Sequence, residues 1–308
     1  MSHEAVAFVF PGQGSQFVGM GRELATFPEA QAVFAQADEV LGFPLARLCL
    51  DGPDTELNDT LNTQPAIVVH SVATLRVLEQ RTNVLEQVTL VAGHSLGEFS
   101  ALVCARALSF PDALRLVRER GRLMKQAGAQ NPGGMAAVLN LDHAALEAVC
   151  MEAADATDRP VQIANDNCPG QIVISGDKVA LEKAMELAKA RGARRCIPLA
   201  VSIAAHSPLM SGAAQEFRAA LESAQWVEPR IPVVANATAR PAAHGGVIDL
   251  LVAQLTSPVR WAESIQYMIG KGVTRFVEVG PKDVLSGLIK RIDSTVRADT
   301  TASVLPSQ

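Results

Sequence analysis

The chain has 308 residues, 48% of them hydrophobic and 19% charged, with a formal net charge of -5 at pH 7. That length can bury a large core and build two lobes, and the apolar content with a slight acidic excess excludes both a disordered chain and a general nucleic-acid binder. No apolar run approaches the roughly 18 residues of a membrane span and the N-terminus lacks a basic region followed by an apolar one, so neither a span nor a secretory signal is expected. The cysteines (Cys49, Cys104, Cys150, Cys168, Cys196) are scattered and without C-x-x-C pairing, which fits reduced thiols in the cytoplasm and offers no metal site.

In chain order, the apolar run from Ala5 to Phe10 reads as a buried strand that ends at Pro11-Gly12 in a glycine-rich loop. Gly12-x-Gly14 has Phe17 where a dinucleotide site would need its third glycine, and no G-x-x-x-x-G-K-[ST] sequence occurs, so the loop is not read as a phosphate cradle. An apolar helix follows Gln64-Pro65-Ala66 and places His70 in the core. Val88 to Gly93 then runs as a strand into Gly93-His94-Ser95-Leu96-Gly97, and a helix-forming stretch leaves it. That strand, turn and helix make a nucleophile elbow, which lifts Ser95 clear of the sheet; the competing reading is an ordinary turn with a solvated serine. The next helix carries Arg115, Arg118, Arg120 and Arg122, a charge run whose members are mostly expected in solvent. From Met135 the pattern is strand (to Leu139), helix (Ala144 to Glu152), strand (Val161 to Ala164), strand (Gln171 to Ser175), helix (Val179 to Arg191) and strand (Arg194 to Leu199). This βαββαβ order is ferredoxin-like. The flanking segments, including Thr274 to Ile292, alternate strand and helix as in a parallel α/β sheet. The expected fold is thus α/β: a large α/β-hydrolase-like lobe with a parallel sheet from residues 1–130 and 199–308, interrupted by a ferredoxin-like small lobe at 131–198, with a cleft between them.

A serine hydroxyl needs a general base and donors for the oxyanion that forms on attack. The chain has six histidines. His3 lies in a fraying terminus, His143 opens a helix, His244 sits in a Pro/Gly/Ala loop and His70 is a core residue. His94 adjoins the serine inside the turn and reads as structural. His206 remains, in a segment of small residues that leaves room for a substrate beside its ring.

Taken together, Phe8–Gln16, Gly93–Leu102, Arg120–Met124 and His206–Met210 resemble the malonyl-CoA:acyl carrier protein transacylases, a family related to polyketide acyltransferase domains. Thr63–Ala66, Ala164–Gln171, Gln254–Trp261 and Glu278–Pro281 follow in the family's order, so the resemblance runs from residue 5 to about 305. It implies a Ser95–His206 dyad that transfers malonyl from malonyl-CoA to holo acyl carrier protein by ping-pong chemistry, with no cofactor or metal. It implies that the backbone N–H groups of Gln13 and Leu96 form the oxyanion hole, a role that general chemistry also gives to the residue after the serine. A planar guanidinium suits a carboxylate; spacing leaves all four arginines of the run open, and the family motif selects Arg120. The resemblance further implies that a backbone carbonyl at Gln254 orients His206, while Gln64 and His94 support the pocket. One departure concerns Ala205, where fatty-acid members commonly carry phenylalanine. A small residue there accompanies branched extenders in polyketide relatives, and an extra methyl is worth only about 1 to 3 kcal/mol of discrimination.

Malonyl is the leading substrate; a stand-alone polyketide-type acyltransferase accepting methylmalonyl and a carrier-clearing acyl hydrolase are the rivals, and Arg120 weighs against the hydrolase. A non-catalytic scaffold would have lost Ser95 or His206. Arg194, Arg195, Lys290 and Arg291 are candidates for meeting an acidic carrier, against the plainer reading of solvated charges. A monomer is the default expectation.

Overall fold

The computed structural model describes residues 4–242 and 245–305, so His3 and His244 lie outside the described residues. Its strands, in chain order, are β1 (Val6–Phe10), β2 (Val88–Gly93), β3 (Gly133–Leu139), β4 (Val161–Cys168), β5 (Gln171–Asp177), β6 (Arg195–Pro198), β7 (Val233–Ala235), β8 (Arg240–Pro241), β9 (Arg275–Glu278) and β10 (Arg297–Asp299). They form a six-stranded sheet in the order β10-β9-β1-β2-β7-β8 and a four-stranded sheet in the order β4-β5-β3-β6. In the larger sheet every pairing is parallel except that of β8 with β7. The smaller sheet is antiparallel throughout and has the strand order of a ferredoxin-like unit. The architecture is therefore α/β with a separate small antiparallel sheet.

Strand β1 is central and buried along its whole length. Its period of two sends Val6, Phe8 and Phe10 into one core, with the helices Thr60–Arg81, Gly97–Cys104 and Phe110–Gln130. Ala7 and Val9 enter a second core on the opposite face, with Trp261, Ile265 and Phe276. Covering both faces is the usual condition of a parallel sheet. The small sheet puts Val138, Ile163 and Ile174 under its two helices, His143–Thr157 and Lys178–Ala190. Asp142 and Asp177 cap those helices by accepting from the N–H of Ala145 and Val179, each at 2.8 Å. The sheet's other face carries Met135, Ala164 and Val173, which pack with Val201 and Ala205 toward the large sheet.

Two expectations about the first half of the chain are corrected. The helix around His70 starts at Thr60, not after Pro65, and holds that proline inside it. Asp59 caps it, accepting from Leu61 N–H at 3.0 Å. Proline cannot donate to the carbonyl four residues back, which is that of Leu61. Arg118 Nη1 donates to this carbonyl at 3.2 Å and to Asn62 Oδ1 at 2.8 Å, and its guanidinium lies 4.4 Å from the Phe43 ring centre. Arg118 is thus a bridge between two helices, whereas Arg115 and Arg122 pair with Asp112 and Glu119 at the surface. Among the described residues no helix is long and apolar enough to cross a membrane.

The elbow depends on close backbone approach. A Cβ at Gly97 would collide with the carbonyl oxygens of Phe10 and Pro11, so the helix can reach β1 only through glycine. Gly97→Ala is expected to lower stability by about 1–3 kcal/mol or more through overpacking against backbone that cannot yield. Urea unfolding of the purified variant checks this, and an unchanged midpoint would show that the backbone gives way.

Candidate active site

Strand β2 ends at Gly93, and Ser95 sits in the turn with a left-handed φ of 52° before the helix begins at Gly97. Such a conformation costs a non-glycine residue of order 1–3 kcal/mol and needs external support. Asn236, at the end of β7, supplies it by accepting from Ser95 N–H at 2.7 Å and donating to the Gly93 carbonyl at 2.7 Å. Ser95 Oγ stands 2.9 Å from His206 Nε2. His206 also has a left-handed φ, 57°, and is 2% exposed. Its Nδ1 lies 2.7 Å from the Gln254 carbonyl oxygen. A carbonyl only accepts, so Nδ1 carries the ring hydrogen and Nε2 presents its lone pair to the serine. Burial and then the charge of Arg120 hold the imidazole down to about 3, which keeps it neutral, with its Nε2 lone pair unprotonated, at neutral pH.

Arg120 projects from the Phe110–Gln130 helix and is 1% exposed. Its Nη1 donates to Gln64 Oε1 at 2.9 Å, and its Nη2 donates to Gln254 Oε1 at 3.0 Å and to Ser95 Oγ at 3.1 Å. These partners are amide oxygens and a hydroxyl, none of them a carboxylate. Nε has no partner. Burial lowers this arginine to about 10, against the opposing charge of Glu98, and it remains a cation at neutral pH. Because Ser95 Oγ accepts from Arg120, its own hydrogen is free to point at His206.

The cavity that exposes these groups is lined by Gln13, Leu96, Asn165 and Ala205 together with Ser95, Arg120 and His206. Gln64 reaches it through Arg120 and also donates to Met124 Sδ at 3.5 Å. His94 borders the cavity, but its Nε2 turns to Asn167 Oδ1 at 2.8 Å and its ring packs edge-on against Trp261. His70 lies elsewhere, fully buried with Nε2 2.6 Å from Glu23 Oε1. None of Arg194, Arg195, Lys290 and Arg291 borders the cavity, and Arg291 is engaged with Gln171 and the Pro169 carbonyl. Among the described residues no group of three metal-ligating side chains occurs.

Sequence reasoning passed over Glu98 and Asn236. Glu98 is buried and accepts from Gln254 Nε2 at 2.8 Å and from Asn236 N–H at 3.1 Å. Gln254 Nε2 also donates to the Ser95 carbonyl at 3.0 Å, which leaves Oε1 for Arg120. Burial pushes the Glu98 carboxyl up to about 7. The available signal was an acid at the start of the apolar stretch Phe99-Ser100-Ala101-Leu102-Val103, a placement that water-seeking carboxylates avoid without partners. Asn236 offered only its place at the end of a short apolar strand.

The sequence matches the family model described as the acyl transferase domain over residues 7–307. It is 45% identical over 294 residues to the malonyl CoA-acyl carrier protein transacylase of Escherichia coli (strain K12), covering 95% of this chain and 94% of that protein. It has the same identity over 294 residues to the enzyme of that name from Bacillus subtilis (strain 168), covering 95% and 92%. Among solved structures, malonyl-CoA:acyl carrier protein transacylase from Xanthomonas oryzae pv. oryzae superposes with a TM-score of 0.93 at 43% identity, covering 98% of this chain and 96% of that one. A malonyl-transacylase solved in complex with a type II PKS acyl-carrier protein gives 0.94 at 43% identity, covering 97% of each chain. A family model that spans nearly the whole chain, together with relatives of near-equal length, makes this chain a member of the acyl transferase family.

Proposed function

We propose that the chain transfers the malonyl group of malonyl-CoA to the phosphopantetheine thiol of holo acyl carrier protein through a malonyl ester of Ser95, the reaction of an [acyl-carrier-protein] S-malonyltransferase in fatty acid biosynthesis. The observation that carries this reading is the buried guanidinium of Arg120, 3.1 Å from Ser95 Oγ and without a carboxylate partner. A cation so placed selects an acyl group that brings its own negative charge. The cavity, about 140 Å³, suits a short acyl group, being close to the roughly 150 Å³ cavity that holds benzene in another protein.

In the proposed reaction His206 Nε2 takes the proton of Ser95 while Oγ bonds to the thioester carbon. The oxyanion points at the backbone N–H groups of Gln13 and Leu96, and the malonyl carboxylate takes up the free donor capacity of Arg120. The C–S bond then breaks and imidazolium returns the proton to the CoA sulfur. The carrier's thiol repeats these steps in reverse order, losing its proton to His206 as its sulfur attacks the ester, and Ser95 leaves with that proton. The Gln254 carbonyl keeps the ring in the tautomer that both half-reactions need, the task an aspartate performs in a triad. Every step uses the chain's own groups and its two substrates, without a cofactor. The unpaired thiols of all five cysteines fit a cytoplasmic setting. Residues 1–130 with 199–308 serve as the lobe that bears the nucleophile, and 131–198 as the lobe that covers it.

Ala205 favours a second reading. Its side chain lines the cavity beside Met135, so the methyl of a methylmalonyl group meets a small neighbour there. The two readings separate on incubation with malonyl-CoA or methylmalonyl-CoA followed by intact-mass measurement. A malonyl adduct on the wild type, absent in Ser95→Ala and discharged by holo acyl carrier protein, is expected. Equal methylmalonyl loading would establish the broader specificity, and free acid without an adduct would favour a hydrolase.

Arg120→Ala is expected to cost the carboxylate-bearing substrate about 2–5 kcal/mol, a loss of between about 30-fold and several thousandfold in kcat/KM for malonyl-CoA. Slow acetyl loading of Ser95 should survive. Steady-state kinetics with both thioesters check this, and parallel losses would show that Arg120 serves the fold or the dyad instead.

A further inference from the structure

The backbone of His206 is not self-supporting. It lies in the left-handed region, in an irregular stretch between β6 and the short turn of helix at Pro208–Met210. What holds it comes from the small sheet. Gln162, on β4, donates from its one amide nitrogen to the His206 carbonyl at 2.8 Å and to the Thr256 carbonyl at 2.9 Å. Thr256 stands two residues after Gln254, whose carbonyl faces His206 Nδ1. Both hydrogens of a single –NH2 group thus tie the histidine's segment to the segment that orients its ring. Strand β4 is itself fixed to that second segment, because Val259 N–H donates to the Ala164 carbonyl at 2.8 Å and Asp166 N–H donates to the Val259 carbonyl at 3.0 Å. Farther along the same strand, Asn167 holds His94, the neighbour of Ser95.

We propose that Gln162 is a positioning residue for His206, and that through it β4 of the small sheet sets the placement of the imidazole against both Ser95 and the Gln254 carbonyl. The proposal rests on the dyad reading above and adds to it a residue that touches no reacting atom. The chemistry of the contact is demanding. Two carbonyl oxygens converge on one position, and a primary amide satisfies both only from the end of a side chain long enough to reach them. Methionine has similar length and no donor; asparagine keeps the amide but is one methylene short. The hydrogen bonds of Arg120 go to Gln64, Ser95 and Gln254 and those of Gln162 to His206 and Thr256, so substrate binding and base placement should separate.

The test uses the full chain with Gln162→Met and Gln162→Asn, and Leu146→Ala as a control that opens a cavity in the small-sheet core away from His206. Both Gln162 variants are expected to lose about 10- to 100-fold in kcat, the scale on which small misplacements of reacting groups act. KM for malonyl-CoA should stay within about threefold, since the guanidinium's partners are intact. In proton NMR of the free protein, the hydrogen-bonded Nδ1–H resonance of His206 should be shifted or broadened in both variants and unchanged in Leu146→Ala. A kcat within about twofold of wild type in both variants would overturn the proposal, as would a Leu146→Ala variant of matched stability loss with the same kcat deficit. Should no variant nor the wild type transfer malonyl, the functional reading fails while the resonance still decides the proposal. An unmoved Nδ1–H signal in both Gln162 variants overturns it.

Discussion

A guanidinium buried without a carboxylate beside it is a demanding constraint, and much of the site is arranged around that of Arg120. Desolvation makes such a cation costly unless its donors are met and an opposing charge lies within reach. Gln64 and Gln254 accept from its two terminal nitrogens with amide oxygens while Nε has no partner. Glu98, its carboxyl pushed up to about 7, provides a partial opposing charge at one remove, across the Gln254 amide. This arrangement leaves the cation only partly compensated and aimed at the nucleophile. A substrate that carries a carboxylate completes it, whereas one without a charge leaves it as it was. In the proposed function, selectivity for the acyl group follows from the same feature that makes this cation electrostatically expensive.

The same charge shapes the base. Burial and the neighbouring cation both keep His206 neutral in the free protein. A carboxylate bound to Arg120 would offset the cation's field, so imidazolium would become easier to form once the substrate is in place. In the proposed mechanism, binding and proton transfer are linked through this one electrostatic interaction. The neutral carbonyl of Gln254 behind the ring fits this scheme, since a carboxylate there would have raised the imidazole and added a further partner for Arg120. Orientation is secured by geometry instead, through the strained backbone at Ser95 and His206 and the amides that brace it.

Local chemistry made parts of this legible in the sequence. An apolar run entering Gly-x-Ser-x-Gly specifies a tight strand-to-helix turn, and the period-two and helical patterns between Met135 and Leu199 specify the small sheet. Arg120 was legible only in part. Its place three residues after Val117 and four before Met124 puts it on the buried stripe of its helix, off which Arg115 and Arg122 lie. Arg118, four after Leu114 and three before Gly121, borders the same stripe, so spacing left the choice open and the family motif made it. Other features had no local signature. Pro65 reads as a helix breaker because the donor that replaces its missing N–H comes from Arg118, more than fifty residues away. Asn236 and Gln162 act on Ser95 and His206 across separations of 141 and 44 residues. A pairing of that range is set by how two sheets pack, which side-chain spacing along the chain does not encode.

The central claim, that a substrate carboxylate completes the charge arrangement at Arg120, is tested most directly by single-turnover release of CoA from the unmodified protein. Malonyl-CoA and acetyl-CoA at equal saturating concentration differ at the acyl end only in that carboxylate. The account predicts Ser95 acylation at least about a hundredfold faster from malonyl-CoA, equivalent to about 2.7 kcal/mol in the barrier. Equal rates would contradict it, because the buried cation would then have no part in choosing the acyl group.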